Sequence, residues 1–193
     1  MSDARGVGAV ILAAGMSRRF GSPKQLVVIG GKTLVEHALD AAMAADLAPV
    51  VAVVPVWLSP LADPAYRQLR WILNPFPERG MSLSLRLGFC ELGDEVDAAM
   101  ILLGDQPALD PETISAILRA RLERPLVAAV AERIAAPPIL IERSHFHLID
   151  DLAGDVGLRQ LIRSNPDLVY RVPVAGHPLD LDTPEDLGRM LDP

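Results

Sequence analysis

The chain has 193 residues, half of them hydrophobic but only 4% aromatic, with a formal net charge of −7 and a single cysteine. A pI near 5.0 argues against a nucleic-acid-binding surface, and one cysteine excludes an internal disulfide or a multi-cysteine metal site. Cys90, set among Phe89, Glu91 and Leu92, reads as a small packing residue. No charged n-region followed by an apolar h-region opens the sequence, and the apolar runs are too short to span a bilayer. The expectation is a soluble, cytoplasmic protein without membrane association, folded as one domain over residues 1–193.

In chain order, Val7–Ala13 is apolar throughout and predicts a strand covered on both faces. It runs directly into Gly15-Met16-Ser17-Arg18-Arg19-Phe20-Gly21-Ser22-Pro23-Lys24. From Ala4 to Val35 there is no Asp or Glu, while Arg5, Arg18, Arg19, Lys24 and Lys32 supply five positive charges, leaving −12 for the rest of the chain. A basic cluster alone is commonly a solvated turn. Here small residues that admit close backbone approach follow a buried strand, which favours a cradle for phosphates. Gly30-Gly31-Lys32-Thr33 imitates the end of a P-loop, but the place of its first glycine is taken by Leu26, so the motif fails. Gly15 and Gly21 likewise lack the spacing of a dinucleotide-binding loop, and no G-x-S-x-G elbow supports hydrolase chemistry.

Thr33–Asp46 predicts a helix opened by a Thr33/Glu36 capping box, with His37 at its surface or rim. Strands are expected at Val50–Pro55, Trp71–Leu73, Ala98–Leu103, Leu126–Val130 and Leu168–Val172. Between the second and third of these, Met81–Leu87 alternates like a strand, yet Leu83 with Leu87 and Leu85 with Phe89 would also line helix faces. The residues alone leave that choice open. Around this segment Gly80 permits close backbone approach, and Asn74 and Ser84 offer neutral hydrogen-bonding groups suited to a base and ribose, although a turn leading into a helix explains the same residues equally well. After Ala98–Leu103 comes Gly104-Asp105-Gln106-Pro107, a carboxylate placed beyond a buried strand. Alone this is a weak signal, since Asp is common in turns. Beside a phosphate cradle it is a hard oxygen ligand for the metal that accompanies a nucleoside triphosphate.

Asp110 and Pro111 start a helix running to about Glu123. His145 and His147 fall on opposite sides of a helix and make a poor metal pair. Asp155–Arg163 reads as a further helix, Asp155 being a plausible N-cap. Near the C-terminus Thr183 and Asp186 explain themselves as caps of a helix over Thr183–Leu191, whereas Asp180 and Asp182 do not. The βαβα order predicts an α/β fold, a three-layer α/β/α sandwich on a mostly parallel, Rossmann-like sheet, with ligands at the carboxyl ends of the strands.

The run Leu12–Lys24 resembles the nucleotide-binding signature L-A-A-G-x-S-x-R-[MF]-G-x-x-K of the MobA-like nucleotidyltransferases, most closely that of the molybdenum cofactor cytidylyltransferases. Leu12, Ala13, Ala14, Gly15, Ser17, Arg19, Phe20, Gly21 and Lys24 meet its fixed positions. Asn74–Leu85 resembles the family's N-P-x-x-x-x-G-M-x-x-S-L, Gly154–Arg159 its G-D-x-G-x-R, and Asp180–Leu187 its D-[IL]-D-T-P-E-D-L.

The resemblance implies the nucleotide-diphospho-sugar transferase type of fold and a helix after Gly80. It also implies Mg²⁺-dependent transfer of CMP from CTP to the terminal phosphate of a molybdopterin-type cofactor. Arg19, Lys24 and Asp105 would be catalytic. Leu12, Ala13, Ala14, Gly15, Arg19, Lys24, Asn74, Gly80 and Ser84 would bind nucleotide. Asp105 with Asp182 (or Asp180) would hold the metal, and Asp155 and Arg159 the acceptor. Transient docking to a molybdoenzyme or its chaperone would follow. One departure falls toward the acceptor: Ala135-Ala136-Pro137-Pro138-Ile139-Leu140 replaces the family's Gly followed by His or Asn before Pro-Val-Leu. A sugar-phosphate acceptor, GTP in place of CTP, and a non-catalytic nucleotide- or cofactor-binding chaperone remain as alternatives.

Overall fold

The computed structural model describes residues 6–58, 64–106, 109–131, 134–154, 157–174 and 183–191. Its elements, in order, are β1 (Val7–Leu12), β2 (Val28–Ile29), β3 (Lys32–Thr33), α1 (Leu34–Ala44), β4 (Val50–Pro55), β5 (Arg70–Asn74), α2 (Met81–Leu92), β6 (Ala98–Leu103), α3 (Pro111–Arg119), β7 (Leu126–Ala131), β8 (Ile134–Glu142), α4 (Leu158–Ser164), β9 (Val169–Pro173) and α5 (Pro184–Leu191). Seven strands form one sheet in the order β5-β4-β1-β6-β8-β7-β9. Neighbours pair in parallel except at β8, which runs antiparallel to both β6 and β7. The expected three-layer, mostly parallel arrangement is the one observed.

Strand alternation divides the core in two. Val7, Ala9 and Ile11 point with Val50, Ala52 and Met100 toward α1 and α3, against Val35, Leu39, Ile114 and Ile117. Val10, Leu12, Val51 and Ile101 point the other way, against Leu85, Phe89 and Leu92 of α2 and Leu158, Leu161 and Ile162 of α4. Both faces are therefore covered, which is why β1, β4 and β6 are apolar at nearly every position. Burial of each such Leu, Ile or Phe contributes roughly 1.5–3 kcal/mol.

Helix starts follow the predicted capping chemistry. Thr33 and Glu36 form a reciprocal box on α1, Asp110 Oδ1 accepts from Glu112 N at α3, and Thr183 and Asp186 repeat the box on α5. Three expectations change. The helix placed at Asp155–Arg163 begins at Leu158 with Gly157 as its N-cap, and Asp155 itself lies outside the described residues. Cys90 is exposed, because the buried face of α2 runs through Ser82, Ser84, Leu85, Gly88, Phe89 and Leu92. Thirdly, β8 has no counterpart among the predicted strands. Its pairing with β7 steps from Ala128↔Ile139 to Ala129↔Ala136, leaving Pro137 and Pro138 out of register. Prolines cannot donate to a ladder, so the sheet accommodates them as an irregularity.

Met81–Leu92, ambiguous in sequence, is helical, and its fit on the sheet depends on a glycine. A Cβ at Gly88 would lie 2.4 Å from Val10 Cγ1 and 3.2 Å from Val53 Cγ2. Gly88→Ala should therefore lower the unfolding free energy by ~1–3 kcal/mol through overpacking, despite the better helix propensity of alanine. Denaturant melts of the two proteins check this; equal or greater stability in the variant would mean that α2 does not seat as closely as described.

Candidate active site

Leu12 and Leu103 are opposite one another in the parallel pairing of β1 with β6, so the loops that follow the two strands leave the sheet side by side. Gly104 N donates to Leu12 O at 3.0 Å. A Cβ at Gly104 would sit 2.8 Å from Ala13 Cβ, so glycine is what allows this approach. Asp105 follows, and its Oδ2 accepts from Lys24 Nζ at 2.6 Å although the two residues are 81 apart in sequence. The pair is mostly withdrawn from solvent, with side-chain exposures of 12% for Lys24 and 21% for Asp105.

Lys24 is held at the backbone by its own loop. Ser17 adopts a left-handed backbone (φ 51°) and accepts hydrogen bonds at its carbonyl from Phe20 N and Gly21 N, each at 3.0 Å. Its Oγ accepts from Lys24 N at 3.1 Å and donates to Gln25 Oε1 at 3.2 Å. Gln25, only 2% exposed, turns its Nε2 back to the carbonyls of Ala13 and Gly15. The loop is thus closed by a buried amide that satisfies the carbonyl side of the small-residue turn. Sequence reading passed over Gln25; its one signal is a polar residue directly after Lys24 at the start of the short helical turn Lys24–Leu26. On the ligand side, a Cβ at Gly15 would meet no atom within 4 Å, so the loop there faces open space.

The loop and Asp105 line a cleft of about 1200 Å³. Leu12, Ala13, Ala14, Gly15, Arg19, Lys24, Gly80, Ser84, Asp105 and Arg159 all border it. Asn74 does not. It is wholly buried; its Nδ2 donates to Ser84 Oγ at 2.9 Å and its Oδ1 accepts from Phe76 N at 2.9 Å. Its amide is spent on fixing Ser84 and the turn after β5, so a direct contact with a base or ribose is corrected to a supporting one. Asp155, Asp180 and Asp182 lie outside the described residues.

The cleft is lined as well by Pro137 of β8, by Leu148, Asp151, Leu152 and Ala153, and by α4, including Arg159 and Arg163. Arg86 Nη1 donates to Leu152 O at 2.7 Å and Ser82 N to Gly154 O at 3.2 Å, tying the segment around Leu152 to α2. The rejected motifs lie elsewhere. Gly30 and Gly31, with φ of 60° and 83°, turn the β2–β3 hairpin; Lys32 pairs with Asp40, and His37 Nε2 is 2.8 Å from Ile29 O. His145 and His147 stack loosely, their ring centroids 5.8 Å apart. Among the described residues, no three His, Cys, Asp or Glu side chains gather as a metal cluster, and no helix is long and apolar enough to cross a membrane.

A cation site fits the donor chemistry of Asp105 nonetheless. Its carboxylate is a hard oxygen donor already facing a positive charge, and a divalent ion of the magnesium type needs only one or two carboxylates when phosphates and waters complete its shell.

Comparison with known proteins agrees with this geometry. Residues 9–169 match the MobA-like NTP transferase domain. The chain is 30% identical over 190 residues to the purine catabolism protein PucB of Bacillus subtilis, covering 92% of each chain. It is 28% identical over 198 residues to the nicotine blue oxidoreductase of Paenarthrobacter nicotinovorans, covering 96% of each. Among solved structures it superposes on Rv0371c of Mycobacterium tuberculosis with a TM-score of 0.86 at 28% identity, over 97% of this chain and 98% of that one; Rv0371c has also been solved in complex with manganese. The chain therefore belongs to the MobA-like NTP transferases, a family of nucleotidyltransferases.

Proposed function

We propose that the whole chain acts as one domain that transfers CMP from CTP to the terminal phosphate of a molybdopterin-type molybdenum cofactor, releasing pyrophosphate. The observation that carries the reading is the meeting of Lys24 with Asp105 at the carboxyl ends of β1 and β6, in a cleft that the glycine-bearing loop and Arg159 also line. A phosphate oxygen of the acceptor attacks the α-phosphorus in line, forming the new P–O bond as the α–β bridging P–O bond breaks and its electrons leave with pyrophosphate. No covalent enzyme nucleophile takes part, so positioning and charge neutralisation are the protein's task.

In this reading Arg19 and Lys24 hold the triphosphate, assisted by backbone N–H groups around Ala14 and Gly15. Gly80 and Ser84 flank the base and ribose, Ser84 oriented from behind by Asn74. Asp105, with Asp182 in preference to Asp180, holds Mg²⁺. The ion, when bound, neutralises charge on the phosphates and the departing pyrophosphate; that Rv0371c has been solved in complex with manganese supports the use of a divalent metal. Asp155 and Arg159 receive the acceptor, and delivery of product to a molybdoenzyme or its chaperone follows.

With Mg²⁺, purified protein should release pyrophosphate from CTP when the molybdopterin-type cofactor is present as acceptor. Absence of release with every nucleotide and every phosphorylated acceptor would leave only the binding-module alternative, and release with another acceptor but not with the cofactor would move the acceptor to another phosphate, such as a sugar phosphate. Asp105→Asn should keep the fold, by circular dichroism, and lose ~10²-fold or more in turnover, the usual loss when a charged transition-state stabiliser is removed. Asp182→Asn should lose as much and Asp180→Asn less; a fully active Asp105→Asn protein would remove the metal role.

Base preference should depend on Ala14, buried on the floor of the cleft. Its methyl narrows the space beside the nucleotide, favouring a pyrimidine. One methyl discriminates by only ~1–3 kcal/mol. Competition assays should therefore show CTP preferred over GTP in the wild type and a partial shift toward GTP in Ala14→Gly. A wild-type preference for GTP would overturn the cytidylyl assignment and leave nucleotidyl transfer standing.

A further inference from the structure

We propose that Lys24 is a stand-in for the divalent cation: in the nucleotide-free protein its ammonium occupies the metal face of Asp105, so the metal binds poorly alone and enters with the nucleotide. The inference rests on the reading of Asp105 as the metal carboxylate. Lys24 Nζ lies 2.6 Å from Asp105 Oδ2, and both side chains are largely withdrawn from water. A magnesium-type ion sits ~2 Å from a carboxylate oxygen. An ion at Oδ2 and the ammonium in its present place would be like charges a few ångströms apart, in surroundings that screen them weakly. One must leave for the other to bind.

The loop is built so that the lysine, and not the backbone, moves. Ser17 Oγ anchors Lys24 N, and Gln25 anchors the turn to Ala13 and Gly15. The four-carbon side chain keeps its rotamer freedom while its origin stays fixed. Arg18 and Arg19 of the same loop border the same cleft, and their positive charge adds to the repulsion that a bare cation meets there. A triphosphate reverses the balance by offering anionic oxygens to the ammonium and to the ion together. Lys24 would thus serve Asp105 first and the phosphates second, coupling nucleotide and metal positively.

The test is Mn²⁺ binding by the full chain without nucleotide, read from loss of the free-ion EPR signal, with thermal melts to establish folding. Wild type should bind Mn²⁺ weakly, with a marked gain when CTP is present. Lys24→Met should bind free Mn²⁺ tighter by ~10-fold or more, as expected when a competing charge beside a shielded carboxylate is removed, and should lose most of the coupling to CTP. Lys24→Gln provides the same reading should the Met variant fold poorly. Lys24→Arg, which keeps the charge, should stay near wild type. The Lys24→Met/Asp105→Asn double variant should lose the gain. Folded Lys24→Met and Lys24→Gln proteins with unchanged or weaker Mn²⁺ affinity would overturn the stand-in role. If Asp105→Asn leaves Mn²⁺ binding in the presence of CTP untouched, the metal reading of Asp105 itself is what fails.

Discussion

Parallel pairing of β1 with β6, with Leu12 opposite Leu103, is the constraint on which the site depends. It brings together two loops that the chain separates by more than eighty residues, and it does so with strand geometry that the core enforces from both faces. A one-residue slip would turn Val10 and Ile11 to the wrong layers, exchanging the α1 and α2 sides of the core. The register of the two loops is therefore protected by the whole apolar interior. Gly104 adds the last requirement, since a side chain there would collide with Ala13 and hold the two loops apart.

From that fixed pair of strand ends the two loops differ in construction. The first, from Ala13 to Gln25, is long and basic, and it is braced internally by a buried glutamine amide and a serine in left-handed conformation. The second has delivered its carboxylate two residues after β6 ends. A braced cationic loop beside a short one that carries a carboxylate makes a site in which one ammonium and one carboxylate are paired. The Lys24–Asp105 pair limits the penalty for keeping a carboxylate and an ammonium mostly out of water, because a partner satisfies each charge.

Which parts of this were legible in the sequence follows from how local their causes are. β1, β4 and β6 could be read because two-sided burial writes itself as uninterrupted apolar residues, and α1, α3 and α5 because their caps lie within three residues of their starts. β8 escaped because Pro137-Pro138 argues against a central strand; its neighbours on both sides, not its composition, make it one. The short β2–β3 hairpin hid behind Gly30-Gly31-Lys32-Thr33, where left-handed glycines serve a turn and not a phosphate. Within the site, residue types marked Lys24 and Asp105 separately, but no local pattern joins positions 81 apart. Asn74 and Cys90 erred in opposite directions for one reason: a polar residue can be buried when its hydrogen bonds are met, and a small apolar one exposed when it falls off a helix's packed face.

The charges lining the cleft also bear on how an acidic protein admits anionic substrates. Arg18, Arg19, Lys24, Arg159 and Arg163 border it, against the carboxylates of Asp105 and Asp151, in a chain of net charge −7. A concave lining in which cations outnumber carboxylates focuses its field into the opening. Arg159 and Arg163 stand four residues apart on α4, and so share one face of that helix. On the proposed reading the triphosphate takes the cations of the signature loop and the acceptor those of α4, so the two anions draw on different elements and do not compete for one set of charges.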